Sequence, residues 1–186
     1  MDKRTAALVG ESIAHAAHDT WFGLAPVLLA SMSTDLALKN SDIGLALLCY
    51  NAVSSVAQPF FGRLAERVGG RVLAMSAIIW TSLMFTLSVY APARWVLLAL
   101  LAFAGLGSGA FHPQGSANAT ASGGGRWAAT ASSVFFLGGT LGSSVTGSAL
   151  GGLLIDALGR RSLVIIAFLT ISVALLVVRR LVPREL

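Results

Sequence analysis

Six long apolar runs joined by short charged links predict an all-helical membrane protein. Three observations carry that fold class. Of the 186 residues, 55% are hydrophobic and only 11% charged. Ordinary soluble domains carry about 25% charged residues, so this chain cannot coat itself with a water-facing surface. The apolar runs have the length, about 20 residues, that a helix needs to cross the hydrocarbon core. Backbone groups in lipid must pair internally, which makes these runs helices and not strands. Finally, "GRLAERVGGR" (Gly62 to Arg71) and "GLLIDALGRR" (Gly152 to Arg161) share the form Gly-x-x-x-acid-x-x-Gly-x-Arg. Three spans separate the copies, an odd number, so the second copy is inverted. The expectation is a 3+3 inverted repeat, with repeat one over about 8–91 and repeat two over about 95–178. Residues 1–186 then form a single six-helix transmembrane bundle.

The first span, roughly 8–33, holds most of the ionisable residues. At about 100° per residue, Glu11, His15, His18, Asp19 and Phe22 fall on one stripe. Such a stripe belongs inside the bundle, because ionisable groups in lipid are costly and mark function by default. Ser41 and Asp42 read as the N-cap of the second span, 42–61. That span sets Asn51, Ser55 and Gln58 on one face, suited either to a cavity or to helix–helix hydrogen bonds. The third span, 72–91, ends at the breaker "APAR" (Ala91 to Arg94). The fourth, 95–119, carries "GAFHPQGSAN" (Gly109 to Asn118), where Pro113 predicts a kink near Ser108 to His112 that turns His112 inward beside Gln114. In the fifth, 127–151, Gly138/Gly142 and Gly147/Gly151 are small-xxx-small pairs for close packing. Phe135 and Phe136 precede them, fit for the core or for stacking on a solute. The sixth span covers 162–178.

Charge placement sets orientation and excludes partners. With both termini cytoplasmic, Lys3, Arg4, Arg63, Arg67, Arg71, Arg126, Arg179, Arg180 and Arg184 lie inside. Lys39, Arg94, Arg160 and Arg161 lie outside, a nine-to-four bias that fits an N-in, C-in multi-pass protein. The net charge of +5 sits in short clusters between apolar runs, which argues against nucleic acid. Cys49 stands alone, so no disulfide framework or cysteine-based zinc site is expected. The first apolar run is too long and too polar for a cleavable signal peptide. The three histidines and few acids lack metal-ligand spacing in sequence, and no nucleophile elbow or phosphate loop occurs. No enzyme activity, cofactor or metal is therefore expected.

"GRLAERVGGR" resembles the signature loop of the major facilitator superfamily, with Glu66 in place of the usual aspartate. "AHDT" (Ala17 to Thr20), "AQPFFGRLAERVGGR" (Ala57 to Arg71), "GLGSGAFHPQGSANATASGGGR" (Gly105 to Arg126) and "SSVFFLGGTLGSSVTG" (Ser132 to Gly147) are similar to the amino-terminal half of fosmidomycin-resistance-type efflux transporters. The resemblance covers nearly the whole chain. It implies a secondary transporter working by alternating access, normally with twelve spans, of which this chain has the first six. It assigns Gly62, Glu66, Arg67, Gly69 and Arg71 to a cytoplasmic gating loop. Gly152, Asp156, Gly159 and Arg161 are the repeat-equivalent positions.

Within that frame, Asp19 with His15, His18 and Glu11 forms the proton-coupling group, since burial moves a carboxyl towards neutrality. Trp21, Asn51, Gln58, His112, Gln114 and Phe136 are expected to line the solute cavity. No Lys or Arg lies mid-span, so a phosphate or phosphonate finds no clamp. A sugar-like neutral solute or a cationic drug fits better. The other reading is a membrane assembly or regulatory subunit without transport. The expected partner is a second six-helix half, encoded separately, with a homodimer as runner-up.

Overall fold

The computed structural model describes residues 2–184, and every regular element among them is helical. α1 covers Lys3–Ser31, α2 Asn40–Val68, α3 Gly70–Ser88 and α4 Arg94–Leu141. A π-helical stretch, Gly142–Leu150, links α4 to α5, Gly151–Leu158. A short 3-10 turn, Arg160–Ser162, precedes α6, Leu163–Val173. A second π-helical stretch, Ala174–Val178, leads into α7, Arg179–Leu181. Four helical stretches are long and apolar enough to cross a membrane: Asn40–Val68, Gly70–Ser88, Arg94–Leu158 and Arg160–Leu181. α2 runs past the span 42–61 expected from sequence, because charged residues outside lipid are good helix formers, whereas α1 and α3 end two and three residues before the expected 33 and 91.

Local chemistry explains the helix ends. Asp2 caps α1, its Oδ1 accepting from the backbone N–H groups of Arg4 and Thr5 at 2.9 Å each. Lys39, not Ser41, caps α2, and the Asp42 carboxylate accepts from its N–H at 2.9 Å as a capping-box partner. Gly69 ends α2 at φ 87°, ψ 139°, and Gly159 ends α5 at φ 77°, ψ 164°. Side chains with a Cβ rarely adopt such values. "GRLAERVGGR" is thus no loop: Gly62 to Val68 are helical, Gly69 alone makes the turn, and α3 starts at Gly70.

The backbone keeps helical dihedrals through Pro113 and breaks at Gly124 (φ 61°, ψ −178°). A proline inside a membrane helix is accommodated when neighbours re-satisfy the freed group. At Gly124 the two arms of α4 fold back on each other, so that Gly123 meets Ala128 and Ala131, and Gly115 meets the Phe135 ring.

Glycines set how closely the helices approach. A Cβ on Gly138, Gly142 or Gly147 would strike the α1 backbone at Ser12, Ala16 and Thr20, respectively. Those α1 positions are four apart, one face of a helix. Gly105 and Gly109 likewise sit on the backbone of Tyr50 and Ser54 in α2. The small-xxx-small reading of the fifth span therefore describes an actual contact with α1.

Two apolar clusters result. One gathers Trp21, Leu28, Phe85, Leu97 and Leu163; the other gathers Leu73, Ile78, Phe111, Phe135 and Val178. Contacts also mark two ends. At one, Arg71 Nε donates to the Val182 carbonyl at 2.5 Å, Gly69 lies against Arg184, and the Arg4 side chain lies near Gly124. At the other, Arg160 pairs with Asp35 at 2.5 Å and Arg161 lies over the Tyr90 ring. The polar residues of α1 lie beside the second cluster, with His15 stacked on Phe135 and His18 on Phe111.

Candidate functional site

Asp19 is the centre of the site. Its carboxylate meets three imidazoles: His15 Nε2 at 3.1 Å, His18 Nδ1 at 3.0 Å and His112 Nε2 at 3.5 Å. His15 and Asp19 are one turn apart on α1, so helical geometry alone brings them together. His112 comes from α4, held opposite by the close approach of its neighbours. Glycines at 105, 107 and 109 let that helix press against α2 and α3.

Each ring is fixed on its far side. His15 Nδ1 lies 2.8 Å from the Phe135 carbonyl, and the ring stacks on Phe135 at 4.0 Å between centroids. His18 Nε2 meets the Thr81 hydroxyl at 3.3 Å, and the ring stacks on Phe111 at 4.8 Å. His112 Nδ1 lies 3.0 Å from the Ser108 carbonyl, and the Ser108 hydroxyl accepts from Ser54 at 2.9 Å. His15 and His18 are buried, whereas the side chains of Asp19 and His112 keep 17% and 30% of their exposure. The site therefore has a closed floor and an open mouth.

The stripe predicted on α1 is real, but its members divide. Glu11 stands apart from the Asp19 group and is fully buried. Its Oε1 accepts from Asn118 Nδ2 at 2.6 Å, while Oε2 has no partner among the described residues. Asn118 Nδ2 also donates to Gln114 Oε1 at 3.0 Å, which places Gln114 in this buried network and not in an open cavity. Phe22 is exposed.

Trp21 is a correction. Its indole is fully buried, donates to Ser82 Oγ at 2.9 Å and to Thr170 Oγ1 at 3.3 Å, and stacks on Phe85. A satisfied indole in the core holds helices together and lines no cavity. Asn51 is exposed and donates only to the Leu47 carbonyl of its own helix, while Gln58 is half-buried. Phe136 is 53% exposed at the rim, in edge contact with His15.

Of the expected gating residues, Glu66 and Arg67 are exposed, and Glu66 makes no ion pair among the described residues. Arg71 ties α3 to the C-terminal segment through Val182. The side chains around Gly62 leave it free space, as they do at Gly159. In the second copy, Asp156 is exposed, Arg161 lies over Tyr90, and Gly152 meets only Val27.

The sequence placed Asp19 and His112 on inward faces of separate helices but could not put them at one level. Thr81, Phe135, Ser108 and Asn118 were missed as partners, because contacts between distant helices leave no local pattern.

The profile of the Major Facilitator Superfamily matches residues 13–186. The chain belongs to that superfamily. It is 30% identical over 105 residues to the uncharacterized MFS-type transporter YfnC of Bacillus subtilis (strain 168), covering 56% of this chain and 25% of that protein. It is also similar in fold to a crystal structure of the peptide transporter POT (E310Q mutant, in complex with sulfate). That likeness has a TM-score of 0.66 at 19% identity and covers 100% of this chain and 44% of the other. This superfamily chain thus spans a quarter to less than half the length of these relatives. It is an all-helical transporter-family protein of the multi-pass membrane type, and members of the superfamily are transporters and not enzymes.

Proposed function

We propose that this chain is a six-helix half of a secondary active transporter that moves a small polar solute, such as a sugar, or a drug, by alternating access. The observation that carries the reading is Asp19, a carboxylate in a membrane-length helix, caged by three imidazoles and reached from one open side. An ionisable group within a membrane span is a candidate for transport or coupling by default. Asp19, with His15 and His18, is the proposed coupling group, and the proton is the proposed coupling ion.

Six crossings, with α1 counted as the first by its 29 residues, belong to this reading, and helix length and the two ends support them. The apolar rod Arg94–Leu158 has 65 residues, roughly three times what one crossing needs, and its break at Gly124 lets it cross twice. The termini, Gly69 and Gly124 gather at one end; Asp35, Tyr90 and Arg160 gather at the other. The inverted repeat is supported by Gly69 and Gly159, which end helices with similar positive φ at matching places of the repeated pattern and at opposite ends. In this reading the end where Arg4 and Arg184 lie faces the cytoplasm and the bilayer is the cell membrane, which the lysine and arginine bias supports.

Leu48, Val56 and Phe60 of α2 and Phe136 and Leu137 of α4 are exposed, Phe136 in edge contact with His15 of the site, and they offer an apolar surface. A second six-helix unit covers it in this reading, a separate polypeptide before a second copy. The test is reconstitution in vesicles, alone and with a co-expressed six-helix counterpart, using labelled sugars and cationic dyes under an imposed proton gradient. Gradient-dependent flux supports the reading. A complex that assembles but passes none of these under any gradient makes the chain an assembly subunit instead.

A further inference from the structure

We propose that His15, Asp19 and His112 form a binding site for a divalent first-row transition-metal ion. The claim concerns occupancy and stands apart from the transport reading. It departs from the sequence, where the ligands have no recognisable spacing, because one comes from a distant helix.

Proton accounting motivates it. A carbonyl oxygen only accepts, so His15 Nδ1, 2.8 Å from the Phe135 carbonyl, carries hydrogen. His112 Nδ1 lies 3.0 Å from the Ser108 carbonyl and 3.2 Å from the Ser108 hydroxyl, so the tautomer with hydrogen on Nδ1 satisfies the carbonyl. The Nε2 atoms of both rings face the carboxylate, at 3.1 Å and 3.5 Å. A ring nitrogen so placed donates to the carboxylate when it carries a proton and offers its lone pair to a metal ion when it does not. Among the described residues no lysine or arginine reaches Asp19.

The donor atoms suit a metal. His15, Asp19 and His112 each offer one ligand atom, all within 4.8 Å of one another. Ligands bound at about 2.1 Å lie roughly 3.0–4.2 Å apart, so small side-chain rotations close the set. Two imidazoles and one carboxylate match zinc and iron(II) chemistry. The Nδ1–H to carbonyl bonds are the usual outer support of metal-bound histidine, fixing tautomer and ring direction. His18 supplies a third support, since its Nδ1 lies 3.0 Å from Asp19 Oδ1 while its Nε2 is occupied by Thr81. The partial exposure of Asp19 and His112 leaves the remaining coordination positions open to the mouth, unlike the closed shell of a structural zinc.

The experiment uses the full-length chain in detergent or nanodiscs, purified without a polyhistidine tag and stripped with chelator. Cobalt(II) and zinc(II) are then titrated. The expected result is one saturable site per chain, with a visible d–d spectrum for cobalt that zinc abolishes. H15Q and H112Q should each weaken binding by about tenfold or more, with size-exclusion profile and melting midpoint as folding controls. X-ray absorption of the zinc-loaded wild type, which needs no variant, should show two imidazoles in the first shell. Absence of saturable binding by wild type, which would mean the cage holds protons only, overturns the proposal. So does undiminished affinity in folded H112Q, or a zinc shell with fewer than two imidazoles.

Discussion

Single residues here divide into those that hold helices together and those that face the mouth. Trp21 belongs to the first group, with its N–H spent on Ser82 and Thr170. Trp21→Ala should therefore cost about 3–5 kcal/mol, the range for deleting a buried aromatic side chain. The readout is the unfolding midpoint in detergent titrated with denaturing surfactant. A cavity-lining indole would instead leave that midpoint in place and change only solute handling. Asn118 is a second test. Its amide satisfies the one partnered oxygen of buried Glu11, so Asn118→Leu leaves a buried carboxyl with no donor. A loss of about 1–3 kcal/mol is expected, and Glu11→Gln in the same background should recover part of it, since the neutral side chain carries a smaller desolvation cost. No recovery would mean that the pair is not the source of the loss. None of these partners was legible in the sequence. Helical periodicity fixes which face a residue occupies, and it placed the α1 stripe correctly. It says nothing of the level at which a neighbouring helix presents its side chains, and that level decided that Trp21 is core and that His112 meets Asp19.

Helices and their joints follow rules that were easier to read. The runs of glycine in the fifth span predicted close packing, and the α1 backbone at Ser12, Ala16 and Thr20 supplies the surface they pack on. Gly142→Leu should push α1 away and destabilise strongly, with a loss of roughly 3 kcal/mol or outright misassembly. Gly125→Ala, where a Cβ meets nothing, is the matched control. The repeated pattern makes a finer comparison. Gly62 and Gly69 are both part of it, yet only Gly69 has positive φ. Gly69→Ala should cost about 1–3 kcal/mol, whereas helical Gly62→Ala should be neutral or slightly stabilising. Equal effects at the two positions would contradict this account of the turn. Spans were underestimated at α2, where lipid thickness set the expected end at 61 and the helix continues to Val68. Charged residues end a membrane crossing without ending a helix. Pro113 keeps helical dihedrals, while Gly124, one of three consecutive glycines, carries the break in α4. Sequence alone places a turn somewhere in such a run but not at one residue.

For the whole molecule, composition made the membrane class legible, and the resemblance carried by the signature loop and the longer motifs made the superfamily legible. What covers the exposed side of α2 was not legible, because lipid and a partner helix both accept apolar residues. The proposed arrangement sets the open mouth of the Asp19 cage against a second bundle, so that opening and closing between bundles exposes the carboxylate to one side at a time. The central claim is that Asp19 couples an ion to solute movement. It is tested most directly by comparing gradient-driven accumulation with solute exchange at equilibrium, for wild type and Asp19→Asn, in vesicles holding the chain with its six-helix counterpart. Asparagine keeps the shape of the side chain and removes its charge. The account predicts that driven accumulation falls by about tenfold or more, as for loss of an essential intramembrane ionisable group, while exchange stays within a few-fold of wild type. Driven accumulation at the wild-type level in Asp19→Asn would contradict it.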